Sequence, residues 1–316
     1  MITTTIIYFI TIGITVAINS LAVAIGESLI AKQAIKALNF QPQAQPEITR
    51  SMILGLALNE TSAIIGLVIS ILLIGKTISE PFAGLGLIGI MLAICLPGLT
   101  VGIASAGPIG QTCLSVSRQP FFSNKINNLM LLTVSFIQTA VIFGFIMALF
   151  ILHQLPLCTT LTQGVRLLAT GLSIGVGCIG SVIGLSIYAT AACASSGYNR
   201  NAYLRTITFT FISQALIETP IVFALGTSLF IIGSTGTTDT IPHAIAFMAA
   251  AACTGFNNIL PGLSSGKVAA AACQKIALAP ENYSMLANIS LFAQVFLDSL
   301  TIYGCITSLL ILYYAV

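Results

Sequence analysis

Charged residues are scarce in this sequence, and tryptophan is absent. Asp, Glu, Lys and Arg make up 6% of the 316 residues, whereas a typical soluble domain carries about 25%. This scarcity argues against a water-soluble enzyme, and the net charge of +3 gives no sign of a nucleic-acid partner. By contrast, 57% of the residues are hydrophobic and the mean hydropathy is +1.04. These values are typical of integral membrane proteins.

Signs of disulfides and of a signal peptide are also missing. The eight cysteines show no CxxC spacing, and most stand inside apolar segments. A disulfide framework is typical of small secreted chains, so these cysteines are expected to be packing residues. The first apolar stretch has no basic region before it and is too long for a signal-peptide core. We therefore expect a retained membrane span.

Long apolar segments recur along the whole chain, each ending at a polar break. Each is long enough for the ~20 residues that a helix needs to cross a bilayer. None shows the alternation over about 10 residues that is typical of a barrel strand. The sequence therefore predicts an all-α transmembrane protein with eight spans. The predicted spans are 5–37, 49–76, 82–116, 126–153, 165–197, 204–233, 241–276 and 284–315.

Lysine and arginine lie mainly on one side of this predicted topology. They cluster near the connections between spans 1–2, 3–4, 5–6 and 7–8, and only Lys76 and Arg166 lie on the other side. By the positive-inside rule, these four connections face the cytoplasm and both termini face outward. The residues on the cytoplasmic side are Lys32, Lys36, Arg50, Arg118, Lys125, Arg200, Arg205, Lys267 and Lys275.

A polar residue returns at the same place in every second span, at spacings of 78, 80 and 80 residues. Each is followed by a residue with a hydroxyl group. The repeated polar residues are Glu60, Gln138, Glu218 and Asp298, and the hydroxyl residues are Thr61, Thr139, Thr219 and Ser299. This repeat predicts four tandem helical hairpins, units 1 to 4, at residues 1–78, 79–156, 157–236 and 237–316.

The first span of each unit carries small residues at matched positions. Side chains of this size let helices approach closely in lipid, so the first spans are expected to pack tightly. The positions are Gly26, Ala104, Gly184 and Ser264, followed eight residues later by Ala34, Thr112, Ala192 and Ala272.

Three of the four repeated polar residues are acids near the middle of apolar spans. A charge at that depth is costly, and burial disfavours the ionised form, so each acid is expected to be neutral or cation-bound when it faces lipid. This behaviour suits a reversible ion carrier. Gln138 cannot titrate, so unit 2 is expected to be silent. The structural alternatives are an interhelical hydrogen bond from a protonated acid, and a simple duplicated membrane anchor.

Oxygen-bearing side chains near the acids are candidate ligands for a hard cation. In unit 1 a second acid stands mid-span in the partner helix, which favours Na⁺ held by Glu27, Glu60 and Thr61. In units 3 and 4 a glutamine lies one turn before the acid, on the same helix face. The predicted ion-binding residues are Glu27, Glu60, Thr61, Ser62, Gln214, Glu218, Thr219, Gln294, Asp298 and Ser299.

Two segments of unit 1, Glu27 to Ile35 and Gln41 to Thr61, resemble nearly the whole of a single-hairpin rotor-ring proteolipid. This protein is the c-type subunit of F-type rotary ATPases. Arg118-Gln119-Pro120 resembles the polar-loop triplet of the same family, and it is complete only in unit 2. Through the internal repeat the resemblance covers essentially the whole chain, and it is weaker in units 3 and 4.

The resemblance implies a ring of several copies whose acids carry H⁺ or Na⁺ past a stator subunit that bears an arginine. It places Glu27 where sodium-binding rings carry Gln or Glu, and Tyr303 at the position of an aromatic residue near the gate. The chain would be a non-catalytic membrane subunit without a cofactor, in a bacterial inner membrane. The cytoplasmic loops would contact the central stalk. The implied stalk-contact residues are Gln41, Pro42, Arg118, Gln119, Pro120, Asn199, Arg200 and Pro280.

Two features depart from that family. Fused hairpins are more typical of V-type than of F-type proteolipids, and Gln138 removes one carrier in four. Both features reduce the number of ions carried per turn for a given number of hairpins, which would make pumping easier and ATP synthesis harder.

Two other kinds of protein fit the same spans. One is a stand-alone eight-span secondary transporter or channel that uses the acids as a relay, and the other is a non-translocating structural proteolipid. A transporter is expected to contain broken helices at a repeat interface. The sequence instead predicts one bent span, at Pro220, and no such pair of breaks. The choice between H⁺ and Na⁺ stays open, because hydroxyls and water also hold protons.

Overall fold

A computed structural model of the chain describes residues 2–76, 80–234 and 239–315, with the backbone alone for residues 2, 3 and 315. Within these ranges every regular element is a helix. The α-helices are α1 (Ile2–Phe40), α2 (Gln45–Asn59), α3 (Thr61–Ile74), α4 (Ala83–Ala104), α5 (Ala106–Arg118), α6 (Ser123–Gln154), α7 (Leu161–Gly177), α8 (Ile179–Tyr198), α9 (Tyr203–Gly233), α10 (Ile241–Asn257), α11 (Ile259–Leu278) and α12 (Tyr283–Ala315).

These helices form eight spans of 33 to 38 residues that are long and apolar enough to cross a membrane. A helix of 38 residues is about 57 Å long, so the spans extend beyond the ~30 Å hydrocarbon core of a bilayer. The eight predicted spans are confirmed, and the connections between spans 1–2, 3–4, 5–6 and 7–8 are shorter than predicted. Each is a single 3-10 turn: Pro42–Ala44, Pro120–Phe122, Arg200–Ala202 and Pro280–Asn282. The predicted unit boundaries at 78 and 236 lie outside the described residues.

The spans form two rows. In one row the first helices of the units (α1, α4–α5, α7–α8 and α10–α11) lie side by side, and they make the closest packing in the fold. The second helices (α2–α3, α6, α9 and α12) pack on their own first helix and, less closely, on one another. In the described residues, extensive packing joins only units 1 with 2, 2 with 3 and 3 with 4. Units 1 and 4 are therefore two open ends.

Neighbouring units remain in register along the row of first helices. Ser115 Oγ of unit 2 donates to Cys193 O of unit 3 at 2.8 Å, and Ser195 Oγ of unit 3 donates to Cys273 O of unit 4 at 3.4 Å. Both bonds join residues 78 positions apart. The repeated polar residues of the second helices consequently lie at matched depths. All eight cysteines are free, and six of them are buried.

Glycine backbones make the contacts within the first-helix row. A Cβ added at Gly26 would meet the carbonyl of Gly102, and one added at Gly184 would meet the backbone of Gly262. Gly266 in turn lies against the backbone of Gly184. The predicted close packing at Gly26 and Gly184 is thus confirmed. Ala104 and Ser264, at the same repeat position, are half-buried.

We expect Gly184→Val to destabilise the chain by about 1–3 kcal/mol, because the added side chain overpacks a backbone-to-backbone contact. The change is measured as a lower unfolding temperature of the detergent-solubilised protein. Gly226→Val is the matched control, since a Cβ at Gly226 meets nothing within 4 Å. Equal unfolding temperatures for the two variants would contradict tight packing at the interface of units 3 and 4.

Single residues interrupt four spans, where the sequence predicted only one bend. The interruptions are at Glu60, Ser105, Cys178 and Asn258. Pro108 has no N–H, so the Ala104 carbonyl loses its helical donor, and Ser186 Oγ of unit 3 donates to this carbonyl at 2.5 Å. At Glu60 the helical backbone bonds continue across the interruption, since the Glu60 N–H donates to Leu56 O at 3.1 Å and the Ile64 N–H donates to Glu60 O at 3.0 Å. By contrast, α9 continues without interruption through Pro220.

Arg166 is buried at the end of the fold opposite the four short connections, where the sequence indicated only a charge on the outer side. Its guanidinium donates to Gln154 Oε1 of unit 2 at 2.8 Å and to the carbonyl of Ser234 at the end of α9. The Gln154 amide also donates to Ile232 O at 3.3 Å. Arg166 therefore fixes the interface between units 2 and 3 at this end.

Candidate ion-binding sites between the hairpins

The four repeated polar residues all lie on second helices but differ in burial. Glu60 is exposed, and Glu218 is half-buried. Gln138 and Asp298 each retain only 6% of their surface. The sequence predicted equivalent positions, and the difference in burial comes from the neighbouring unit.

Each buried polar residue faces the unit that precedes it. The Glu218 carboxyl of unit 3 lies near the Thr139 hydroxyl of unit 2, and this hydroxyl donates to Phe136 O of its own helix at 2.7 Å. In the same way, the Asp298 carboxyl of unit 4 lies near the Thr219 hydroxyl of unit 3, and this hydroxyl donates to Ala215 O of its own helix at 3.2 Å. An acid of one unit and a hydroxyl of the previous unit thus form one candidate site at each of these two interfaces.

Gln138 occupies the corresponding interface between units 1 and 2. Its Nε2 donates to Leu58 O of unit 1 at 3.1 Å, two residues before Glu60. An amide nitrogen can only donate and keeps its protons, whereas a carboxyl group can lose its proton. The geometry agrees with the predicted silence of unit 2, which remains a prediction about transport.

Two glutamines lie one turn before the acids of units 3 and 4, and both are fully buried. Gln214 Nε2 donates to Thr133 O of unit 2 at 3.2 Å, and Gln294 Nε2 lies 3.4 Å from Ser213 Oγ of unit 3. Both side chains therefore face the preceding unit, as the acids do. This placement agrees with their prediction as candidate ligands.

Several oxygens at these interfaces have no hydrogen-bond partner among the described residues. They are Gln214 Oε1, Gln294 Oε1 and Asp298 Oδ1. A buried acceptor without a donor costs about 1–3 kcal/mol. A bound cation, or a proton on the carboxyl group, would relieve this cost, which makes these positions chemically suited to either.

The ligand set predicted for unit 1 is only partly brought together. Glu27 of α1 and Glu60 interact electrostatically, as expected. The Thr61 hydroxyl donates to Leu58 O at 2.8 Å, and its counterparts in units 2 and 3 also donate to carbonyls of their own helices, so this bond does not set unit 1 apart. Ser62, by contrast, is fully buried while Glu60 is exposed. Residues two apart point to nearly opposite sides of a helix, which places Ser62 away from Glu60. In the described part of the chain no group of three His, Cys, Asp or Glu residues is suited to hold a metal ion.

The hydroxyl of the preceding unit is the feature that the predicted site residues missed. Thr139 was absent from the predicted site residues because its own unit carries Gln138, yet its hydroxyl lies near the acid of unit 3. The repeat contained the signal, since a hydroxyl follows every repeated polar residue. Only the packing of one unit on the next shows which acid each hydroxyl contacts.

The predicted stalk-contact residues lie together at one end of the fold, and some of them join the units. Gln119 Nε2 donates to Gly197 O at 3.0 Å, and Asn199 Nδ2 donates to Ala277 O at 2.9 Å. The Arg118 guanidinium lies 4.4 Å from the ring centroid of Tyr198. A groove of about 580 Å³ between the loops of units 2 and 3 contains Arg118, Gln119, Pro120, Phe121, Phe122, Tyr198, Asn199, Arg200 and Asn201.

Sequence comparison agrees with this architecture. The family of ATP synthase C subunits matches three segments, residues 10–73, 88–151 and 248–311, which fall in units 1, 2 and 4 and make up more than half of the chain. The ATP synthase c-type subunit of Prochlorococcus marinus (strain AS9601) is 36% identical over 75 residues, which are 24% of this chain and 93% of the relative.

Two further relatives match with similar coverage. The ATP synthase c-type subunit of Synechococcus sp. (strain JA-2-3B'a(2-13)) is 33% identical over 75 residues, 24% of this chain and 93% of the relative. The chloroplastic c-type subunit of the Phaeodactylum tricornutum ATP synthase is 35% identical over 69 residues, 20% of this chain and 84% of the relative. About a quarter of this chain thus corresponds to nearly the whole of each relative, as expected if every unit is one such hairpin.

Proposed function

The chain belongs to the family of ATP synthase C subunits, and on this premise we propose that its mid-membrane carboxylates carry H⁺ or Na⁺ across the membrane. The chain has the role of a rotor-ring proteolipid in a rotary ATP synthase or ATPase. This chain supplies membrane-spanning helices and the acids that carry the ion, and ATP synthesis or hydrolysis takes place in other subunits. The ion is the transported substrate and not a resident cofactor.

One observation carries this proposal. The acids of units 3 and 4 lie at matched depths between neighbouring hairpins, each beside a hydroxyl from the preceding unit. Both stand within apolar spans, where an unpaired charge is costly. Each acid is therefore neutral or cation-bound when it faces lipid, and it releases its ion only where a polar or charged partner compensates the carboxylate.

A stator subunit with an arginine would supply this compensation. A guanidinium beside an ionised carboxylate offsets much of its desolvation cost. As the ring turns, each acid would lose its ion on meeting the arginine and take up another on leaving it. Central-stalk subunits would bind the loops that carry Arg118 and Arg200 at the cytoplasmic end. The membrane would be a bacterial inner membrane.

The unequal units reduce the number of ions carried per turn. Three of the four hairpins in each chain carry an acid, and unit 2 carries Gln138. Fewer ions per ATP leave more free energy for each ion. A ring of this composition would therefore pump against steeper gradients and synthesise ATP less readily than a ring with an acid in every hairpin.

Carbodiimide labelling of the protein in native membranes tests the proposal, because the reagent modifies protonated carboxyl groups in apolar surroundings. We expect label on Glu60, Glu218 or Asp298 and none on Glu281, which is exposed in a cytoplasmic loop. Protection by Na⁺ at neutral pH would identify sodium as the ion, and unchanged labelling would identify the proton. The absence of label from all three acids would contradict the carrier proposal.

A further inference from the structure

In three of the four units, a buried serine of the second helix is hydrogen-bonded to the first helix of the same unit. Each bond joins residues 58 positions apart, and each serine lies ten residues after the repeated acid of its unit. The three bonds therefore occupy one repeat position. They are Ser70 Oγ to Ile12 O at 3.0 Å, Ser228 Oγ to Thr170 O at 3.2 Å and Ser308 Oγ to Ala250 O at 2.8 Å.

Unit 2 lacks this bond, because Ala148 occupies the position of the serine. In the described residues of unit 2, no side chain of either span is hydrogen-bonded to the other span. Five hydroxyl groups of unit 2 donate instead to carbonyls of their own helices; they belong to Thr100, Thr112, Thr133, Ser135 and Thr139. The two spans of unit 2 are therefore held together by apolar packing alone.

The other three units each have two further bonds of this kind between their spans. In unit 1 they are Tyr8 OH to Leu73 O and Asn59 Nδ2 to Val23 O. In unit 3 they are Ser173 Oγ to Ala224 O and Tyr188 OH with Thr210 Oγ1. In unit 4 they are Thr254 Oγ1 to Ser308 Oγ and Asn257 Nδ2 to Leu300 O. The serine is thus the shared member of a larger set.

The presence of these bonds follows the presence of an acid. Units 1, 3 and 4 carry Glu60, Glu218 and Asp298, whereas unit 2 carries Gln138. A requirement of folding alone would apply to unit 2 as well, since Ala148 is fully buried at the same repeat position. The bonds therefore match a property that only the acid-bearing hairpins have.

The serine and the acid point in different directions from one helix. In α9 and α12, which run without interruption, ten residues correspond to about 15 Å along the axis and about 80° around it. The acid faces the preceding unit, and the serine faces the first helix of its own unit. The first helices are in turn packed on one another through glycine backbones. The serine bond consequently fixes the rotation of the second helix relative to this row.

Ion release gives the acid-bearing hairpins a need for such a bond. An acid that has lost its ion beside a stator arginine is attracted by it, and this attraction is strong in apolar surroundings. The force acts on the second helix alone, because that helix carries the acid. Gln138 bears no charge, so the second helix of unit 2 experiences no comparable force.

We propose that Ser70, Ser228 and Ser308 are positioning residues for ion carriage. Each holds the second helix of its hairpin, and with it the acid, in one orientation while the ion is released and taken up. This inference rests on the proposed carrier function of the acids. It assigns a role in transport to hydroxyl groups that lie about 15 Å from the ion and do not contact it.

Carbodiimide labelling of two serine variants in native membranes tests the role, with the label at Glu218 and at Asp298 measured in the same molecules. We expect Ser228→Ala to raise the label at Glu218 relative to Asp298 by roughly threefold, the factor that corresponds to an average hydrogen bond between membrane helices. A second helix that can rotate lets its carboxyl leave the interface and meet the reagent more often. Ser308→Ala should raise the label at Asp298 relative to Glu218. A general loss of stability would affect both acids alike.

The matched control is Ser196→Ala. Ser196 is also a buried serine of unit 3, and its hydroxyl also donates at 3.2 Å, but to Ala192 O of its own helix. This variant should leave the ratio of the two labels unchanged. Ala148→Ser gives unit 2 the missing hydroxyl, and it should change neither the labels nor ATP-driven ion uptake, because unit 2 carries no acid.

Two results would overturn the positioning role. One is the native ratio of labels in both Ser228→Ala and Ser308→Ala, and the other is a change in Ser196→Ala as large as in Ser228→Ala. Either result, with label present on the acids of the native protein, would leave ion carriage standing. The absence of label from all acids of the native protein would instead refute ion carriage itself.

Discussion

Glu218→Gln is expected to lower ATP-driven ion uptake into inverted membrane vesicles by about tenfold or more, equivalent to at least ~1.4 kcal/mol in the limiting barrier. The variant places two silent hairpins next to each other, because unit 2 already carries Gln138. An uncharged carboxamide cannot exchange an ion, so no ion release or uptake accompanies the passage of this part of the ring by the stator arginine. The Thr139 hydroxyl would keep a polar partner, and the fold should be unaffected.

Two further variants show whether the loss is specific to the carrier. Glu218→Asp keeps a carboxyl group of the kind that unit 4 carries at Asp298, and it should retain a substantial part of the uptake. Glu281→Gln removes a carboxylate from an exposed loop and should transport at the normal rate. Normal uptake by Glu218→Gln, with normal amounts of protein in the membrane, would refute the role of this acid.

Gln138→Glu is expected to add a fourth carrier to each chain, which raises the ion-to-ATP ratio by about one third. Glutamate has nearly the shape of glutamine, and its protonated O–H can donate to Leu58 O in place of the Nε2 that does so now at 3.1 Å. The new carboxyl would lie beside the second helix of unit 1, in surroundings like those of Asp298. Carbodiimide label should therefore appear at position 138.

The ion-to-ATP ratio is the free energy of ATP hydrolysis divided by the free energy per ion of the gradient at which ATP-driven pumping stops. Gln138→Leu is the control, because it is neutral and cannot donate, and its ratio should equal that of the native chain. If the native ion-to-ATP ratio corresponds to one ion carried by every hairpin in each turn, unit 2 is not silent. A folded Gln138→Glu variant with neither label nor a changed ratio would contradict the equivalence of the four positions.

The sequence by itself determined the fold class, the number of spans and the fourfold repeat. These follow from properties that repeat along the chain: the length of apolar segments, and a polar residue that returns every 78 or 80 positions. Burying an acid in an apolar span is costly, so the three acids could be singled out without coordinates. The close approach of first helices at Gly26 and Gly184 was also predictable, because glycine permits contact between backbones.

Only the tertiary structure decided which side chains meet. The sequence places Thr61 and Ser62 beside Glu60 along the chain, but helical geometry separates Ser62 from Glu60. Elsewhere in the fold the hydroxyl that follows a repeated polar residue lies beside the acid of the following unit. The contacts that matter join residues about 80 positions apart, such as Glu218 with Thr139. Such pairs depend on how one hairpin packs on the next. The same packing leaves Glu60 uncovered at one end of the chain and Asp298 buried near the other.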